Sequence, residues 1–144
     1  MYLPAIALPQ TMAFSTTLAV HIYDLAGGLH VGNHVLVAYL NEVQMRLLTA
    51  LGFPALIVDN AITFNNEIAV QYRREVRYGD TLTVKAHIDP LEADQYRILC
   101  HMLNQHGRSV LSAQLGMVFV DQASGRRRDV PAAFADAWRR FAAA

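Results

Sequence analysis

One acid, Asp24, closes a strand-like run and stands ahead of the pair Gly27-Gly28. His30, Gly32 and Asn33 follow, and from Asn33 onward the apolar residues take on a helical period. These residue types at this spacing suit attack on an acyl carbonyl. A carboxylate can attack the carbonyl carbon or activate water. A helix N-terminus offers unpaired backbone N–H groups and partial positive charge to the oxygen that becomes negative. A glycine such as Gly32 lets a ligand come close to the backbone. Asp24 and His30 are thus candidate acid–base groups, and Gly32-Asn33 is the candidate electrophilic site.

Plainer explanations stand beside each of these. Asp24 is equally a residue that closes an Asx-turn. Asn33 is equally a helix N-cap, which is compatible with a catalytic helix start. Gly27-Gly28 is a turn and lacks the rest of a phosphate loop. A loop histidine such as His30 often bonds its own backbone. Glu42 lies four residues before Arg46, the spacing of an exposed ion pair on a helix. Other chemistries lack their motifs. His21, His30 and His34 are close in sequence but have no His-Glu-x-x-His or Cys/His metal spacing, so no metal is expected. No Gly-x-Ser-x-Gly elbow is present.

The elements that must hold these residues are readable from periodicity. Residues 1–13 form an irregular arm broken by Pro4 and Pro9, with no basic start for a signal segment. A strand is predicted over 14–22. Residues 33–51 carry a wide apolar stripe, with Leu40, Leu47 and Leu51 on it, and Gly52 and Pro54 mark the end of that helix. The period then changes to two. Strands are predicted over 62–76, 80–88, 96–103 and 108–121, separated at Tyr78-Gly79-Asp80, Asp89-Pro90 and His106-Gly107. The tail 131–144 opens on proline and suits a helix. One strand, one helix and four long strands make an α+β domain in which an antiparallel sheet of about five strands wraps a central helix.

With 144 residues the chain is one domain. Its 53% hydrophobic content is high for a small domain and predicts an oligomer, a homodimer or homotetramer. Twelve basic and twelve acidic residues cancel, which gives no reason to expect a nucleic-acid partner. No apolar run reaches the roughly 20 residues of a membrane span. The single cysteine, Cys100, reads as a core thiol, and a cytoplasmic setting is expected.

The order of elements and several short motifs resemble the hot-dog fold thioesterases of the 4-hydroxybenzoyl-CoA thioesterase and acyl-CoA thioester hydrolase type. The family's loop reads roughly Asp-x-Asp-x-x-Gly-His-Val-x-Asn. His30-Val31-Gly32-Asn33 matches its second half, and Tyr39-Leu40-Asn41-Glu42 is similar to its helix motif. Tyr72, Tyr78-Gly79-Asp80, Gly107-Arg108-Ser109-Val110, Phe119-Val120-Asp121, Ser124-Gly125-Arg126 and Val130-Pro131 follow in the family's order. The resemblance implies a hot-dog domain over 1–144 and hydrolysis of an acyl-CoA or acyl-carrier-protein thioester. It implies no separate cofactor, coenzyme A being part of the substrate. In a register without gaps, Asp24 falls on the first Asp of the motif and Ala26 on the second, often the catalytic one. With two residues inserted at Gly28-Leu29, Asp24-Leu25-Ala26-Gly27 matches the family's Asp-Pro-Ala-Gly variant and Asp24 is the catalytic acid. By the same resemblance Glu42 is a second candidate, a carboxylate in a pocket between subunits. Arg108 and Arg126, the latter opening a run of three arginines, are candidates for the coenzyme A phosphates, as guanidinium pairs well with phosphate. A solvated loop explains the arginines equally well. A non-hydrolytic acyl-thioester-binding protein that has lost the acid is the alternative.

Overall fold

The computed structural model describes residues 3–144; Met1 and Tyr2 of the expected arm lie outside the described residues. Strand β1 (Phe14–Ala19) leads through a short 3-10 turn (Ile22–Asp24) into helix α1 (Asn33–Ala50). Strands β2 (Ile57–Val58), β3 (Ala61–Tyr72), β4 (Thr81–Glu92), β5 (Gln95–Leu103), β6 (Ser109–Asp121) and β7 (Arg127–Arg128) follow. Helix α2 (Ala132–Ala143) closes the chain. The strands form one antiparallel sheet in the order β1-β4-β5-β6-β3-β2, with β7 on β6. This is the α+β arrangement read from the sequence: five long strands curled around α1.

Period-two alternation decides which sheet face is inside. Leu82, Val84, Ala86 and Ile88 of β4 are buried in register with Ile98, Cys100 and Met102 of β5. Leu111, Ala113, Leu115, Met117 and Phe119 continue the row on β6. Leu36, Leu40, Val43, Leu47 and Leu48 of α1 complete the same core. Leu40 and Leu47 are fully buried and Leu51 closely so, as expected. Burial alone pushes the Cys100 thiol up to about 12, so it is a packing residue and a poor nucleophile.

Several boundaries differ from the sequence reading. β4 runs through Pro90, where the sequence predicts a turn, and turns only at Ala93-Asp94. β1 pairs β4 only as far as Ala86. Beyond it β4 has no partner strand on that side among the described residues, and proline is tolerated in such an edge. β2 is an added strand. It pairs β3 through a two-residue turn, Asp59-Asn60, whose φ values of 47° and 63° are those of a type I′ hairpin. β3 leaves the sheet at Tyr72, where Arg73 N–H and Arg74 N–H both donate to Val110 O. The arm is irregular, as read. Ile6 N–H donates to Gln71 Oε1 at 2.8 Å and Gln71 Nε2 donates to Pro4 O, which ties the arm to β3.

Candidate active site

The segment 22–33 is held by backbone bonds. Ala26 N–H donates to His30 O at 2.9 Å, and Leu25 bridges Val31, which folds the loop back on itself. The reversal falls at Gly27 and Gly28, with φ of 52° and 127°. Side chains other than glycine rarely adopt such angles. The loop is then fastened to the chain between β3 and β4. Val31 N–H donates to Val76 O at 2.7 Å, and Tyr78 N–H donates to Leu29 O.

Helix α1 emerges from this loop uncapped. Its N-cap is Gly32, and among the described residues no side chain accepts from the amides of its first turn, although the Tyr72 hydroxyl donates to Asn33 O at 3.5 Å. Asn33 is therefore the first helical residue and not the N-cap, a correction to the cap reading. The chain reaches the required extended conformation one residue earlier, at Gly32. Gly32 O takes Val35 N–H and Leu36 N–H. Among the described residues, no acceptor is bonded to the N–H groups of Asn33 and His34. These are two of the orphan donors of a helix start. Gly32 is in a tight place. A Cβ there would lie 2.8 Å from His34 Cε1 and 3.1 Å from Ala26 Cβ. The residue packed against the helix start is thus Ala26.

Asp24 lies at the end of the 3-10 turn. Its Oδ2 accepts a 2.5 Å bond from the Tyr39 hydroxyl on α1 and a 3.1 Å bond from His21 N–H. Burial first, and then the bond to Asp24, hold the Tyr39 hydroxyl well above its ordinary pKa, so it stays protonated. Asp24 does close a turn, and it is also fixed to the helix. The bond runs back to His21, three residues earlier, and not forward two residues as in the expected Asx-turn.

Beside the helix start is an open cavity of about 330 Å³. His30 and Asn33 line it together with Tyr72, Arg73, Arg74 and Glu75. The last four come from the end of β3 and the segment beyond. Arg73-Arg74 is visible in sequence as a basic pair, but only the topology places it here. Glu75 is ion-paired with Arg77 at 3.1 Å. A larger apolar groove of about 520 Å³ lies under α2, lined by Ile88, Tyr96, Phe134 and Trp138. Neither the loop nor the helix start contributes to it.

The remaining expected residues are scattered. Glu42 is exposed and bonded to Arg46 at 3.1 Å, about 13 Å along the helix axis from Asn33. Arg46 in turn donates to Thr16 Oγ1 and Thr17 O, which pins α1 to β1. Arg108 is exposed in the β5–β6 turn, next to Ser109, whose carbonyl accepts from Arg74. That turn is at the cavity's end of the sheet. Arg126 is in the turn after β6, separated from Arg108 by the whole strand, roughly 40 Å of extended chain. Within one chain Arg126 is not part of the cavity. Among the described residues no three His, Cys, Asp or Glu side chains gather as a metal site. No helix among them is long and apolar enough to cross a membrane.

A curled antiparallel sheet around one helix, with a glycine-rich loop feeding the helix start, defines a hot-dog protein. Solved structures agree on the fold. A hypothetical protein of Staphylococcus aureus, determined in complex with CoA, superposes with a TM-score of 0.82 at 17% identity, covering 96% of this chain and 89% of that one. A Thermus thermophilus thioesterase complexed with coenzyme A and Zn gives 0.78 at 18%, covering 94% and 99%. A 1,4-dihydroxy-2-naphthoyl-CoA thioesterase from Synechocystis gives 0.79 at 15%, covering 88% and 95%. Among curated proteins none matches the sequence. Residues 20–138 match the Thioesterase-like superfamily, and the chain belongs to that family of enzymes. Its general chemistry is thioester hydrolysis.

Proposed function

We propose that the protein hydrolyses an acyl-CoA thioester, or the same thioester on a carrier protein, at the start of α1. Asp24 takes a proton from water as the water oxygen bonds to the acyl carbon. The backbone N–H groups of Asn33 and His34 hold the resulting oxyanion. Collapse breaks the carbon–sulfur bond, the electron pair goes to sulfur, and the proton on Asp24 passes to the thiolate. The products are a carboxylic acid and a free thiol. One observation carries the reading: a carboxylate anchored to α1 by a 2.5 Å bond, on the loop that feeds a helix whose first two amides are unpaired.

Coenzyme A as the carrier is supported by the CoA-bound neighbours and by Arg73 and Arg74 on the cavity wall. His30 and the Asn33 side chain, on the same wall, are proposed substrate contacts, with Gly32 letting the thioester lie close to the amides. Arg108 is a further phosphate contact. Arg126 and Glu42 reach a site only from a second subunit. A homodimer is supported by β3. Beyond the short β2, its outer edge has no partner strand among the described residues, and it exposes Phe64, Ile68 and Tyr72. A long apolar edge of this kind pairs with another chain or aggregates. A cytoplasmic setting, where CoA esters and reduced thiols occur, completes the reading.

A second reading has its own observation. Ala26, and not an acid, packs against Gly32, as the gap-free register requires if the family's carboxylate has been lost. In that case the protein binds acyl thioesters without cleaving them. A thiol-release assay over acyl-CoAs of differing chain length and aromatic character separates the two. Turnover of any of them supports the first. Saturable binding with no thiol released supports the second.

A further inference from the structure

The two hydrogen bonds on Asp24 fall on the same oxygen. Tyr39 Oη donates to Oδ2 at 2.5 Å, and His21 N–H donates to Oδ2 at 3.1 Å. Among the described residues no donor reaches Oδ1. The donor comes from α1 itself, fifteen residues along the chain. Side chains on a helix lean toward its N-terminus, so the Tyr39 hydroxyl is directed back toward the first turn. That is the end of the helix with the free Asn33 and His34 amides. His21 and Tyr23 stack on each other in the 3-10 turn at 5.2 Å, and Glu42 on the next turn of α1 is taken by Arg46.

We propose that Tyr39 is a positioning residue: it fastens Oδ2 of Asp24 to helix α1 and so presents Oδ1 as the oxygen that takes the proton from water. This rests on Asp24 being the hydrolytic carboxylate. Tyr39 itself neither gains nor loses a proton. Its contribution is orientation. A base must be within hydrogen-bond reach of the proton it takes, and a free carboxylate on a loop samples many rotamers. A purely structural link between turn and helix would instead act on folding.

The test compares wild type, Tyr39→Phe, Asp24→Asn and the double variant on one acyl-CoA that the wild type hydrolyses, with thermal melting of each. Tyr39→Phe is expected to lower kcat about tenfold, the scale of a lost hydrogen bond to a charged group, with KM within twofold. Asp24→Asn is expected to lose at least about a hundredfold. The double variant is expected to be no slower than Asp24→Asn alone, because Tyr39 then has no base left to orient. Tyr39→Phe within twofold of wild type, beside an inactive Asp24→Asn, overturns the inference and leaves the proposed function standing. Losses that multiply in the double variant also overturn it, since Tyr39 then acts elsewhere. Asp24→Asn within threefold of wild type overturns the proposed function and the inference together. Tyr39→Gln, whose amide is too short to span the gap, gives the same comparison if the Phe variant melts below the assay temperature.

Discussion

The two ends of helix α1 are finished differently. At the C-terminal end the carbonyls of Leu47, Leu48 and Thr49 all accept backbone bonds from the residues that follow the helix. Gly52 N–H bonds Thr49 O and Phe53 N–H bonds Leu48 O, with Gly52 at φ 97°. This is a complete Schellman stop. Phe53 then packs on Phe134 of α2, which is buried against Tyr96 and Phe119 at ring distances of 4.7 and 5.3 Å. Even the Tyr96 hydroxyl is paired, with Thr63 at 2.7 Å. At the N-terminal end, among the described residues, no side chain caps the helix and two amides are unpaired, and an open polar cavity stands alongside. Unsatisfied donors cost stability, so a chain able to cap one end so fully gives up something at the other. The proposed function puts the chemistry at the open N-terminal end and makes the C-terminal end the anchor that holds it still.

Substitutions at the two ends should therefore separate stability from activity. The largest effect on stability is expected at Phe134→Ala, which empties the aromatic plug. It should lose about 3–5 kcal/mol by denaturant titration. The protein that remains folded should keep its turnover number, since the plug is at the far end of α1 from the site. A loss below about 1 kcal/mol would mean that the end is not sealed by α2. Gly52→Ala comes next. It forces a Cβ onto a left-handed residue and should cost about 1–2 kcal/mol, again with little change in turnover. The smallest effect is expected at Asn33→Ala. A residue that caps a helix loses about 1 kcal/mol on truncation to alanine. Asn33 stands one place inside the cap, so the loss should stay under about 0.5 kcal/mol. Its backbone N–H survives the change, so turnover should stay within about threefold. A large fall would show that the side chain, not the amide, meets the substrate.

The anchor end was far more legible in the sequence than the working end. The apolar stripe from Leu36 to Leu51, the Gly52 stop and the period-two strands are local signals, and each matches the structure within a few residues. Pro90 misled because its tolerance depends on where β1 stops, a fact of sheet pairing and not of local sequence. The hairpin turn at Asp59-Asn60 carries no glycine and so gave no strong signal. At the working end the loop and helix start were visible as a motif. The partners were not. Tyr39 meets Asp24 only because the 3-10 turn directs the carboxylate onto α1. Arg73, Arg74 and Glu75 are about forty residues from the loop and reach it through the course of β3. Arg126 looked as suitable as Arg108, and strand length alone separates them. The choice between Asp24 and Ala26 depends on which residue faces the helix start, which is a property of the folded loop and not of residue spacing.

The central claim is that the open start of α1 and Asp24, fastened to that helix through Tyr39, make a hydrolytic site. Thiol release by wild type and Asp24→Asn, measured side by side on the best acyl-CoA of the panel, tests it most directly. Asparagine keeps the size of the side chain and an oxygen able to accept from Tyr39, but it cannot serve as a base at neutral pH. The expected result is a variant that melts within a few degrees of wild type, binds the thioester, and turns over at least about a hundredfold more slowly. Turnover within about threefold of wild type, or a wild type that binds acyl-CoA and releases no thiol, would contradict it.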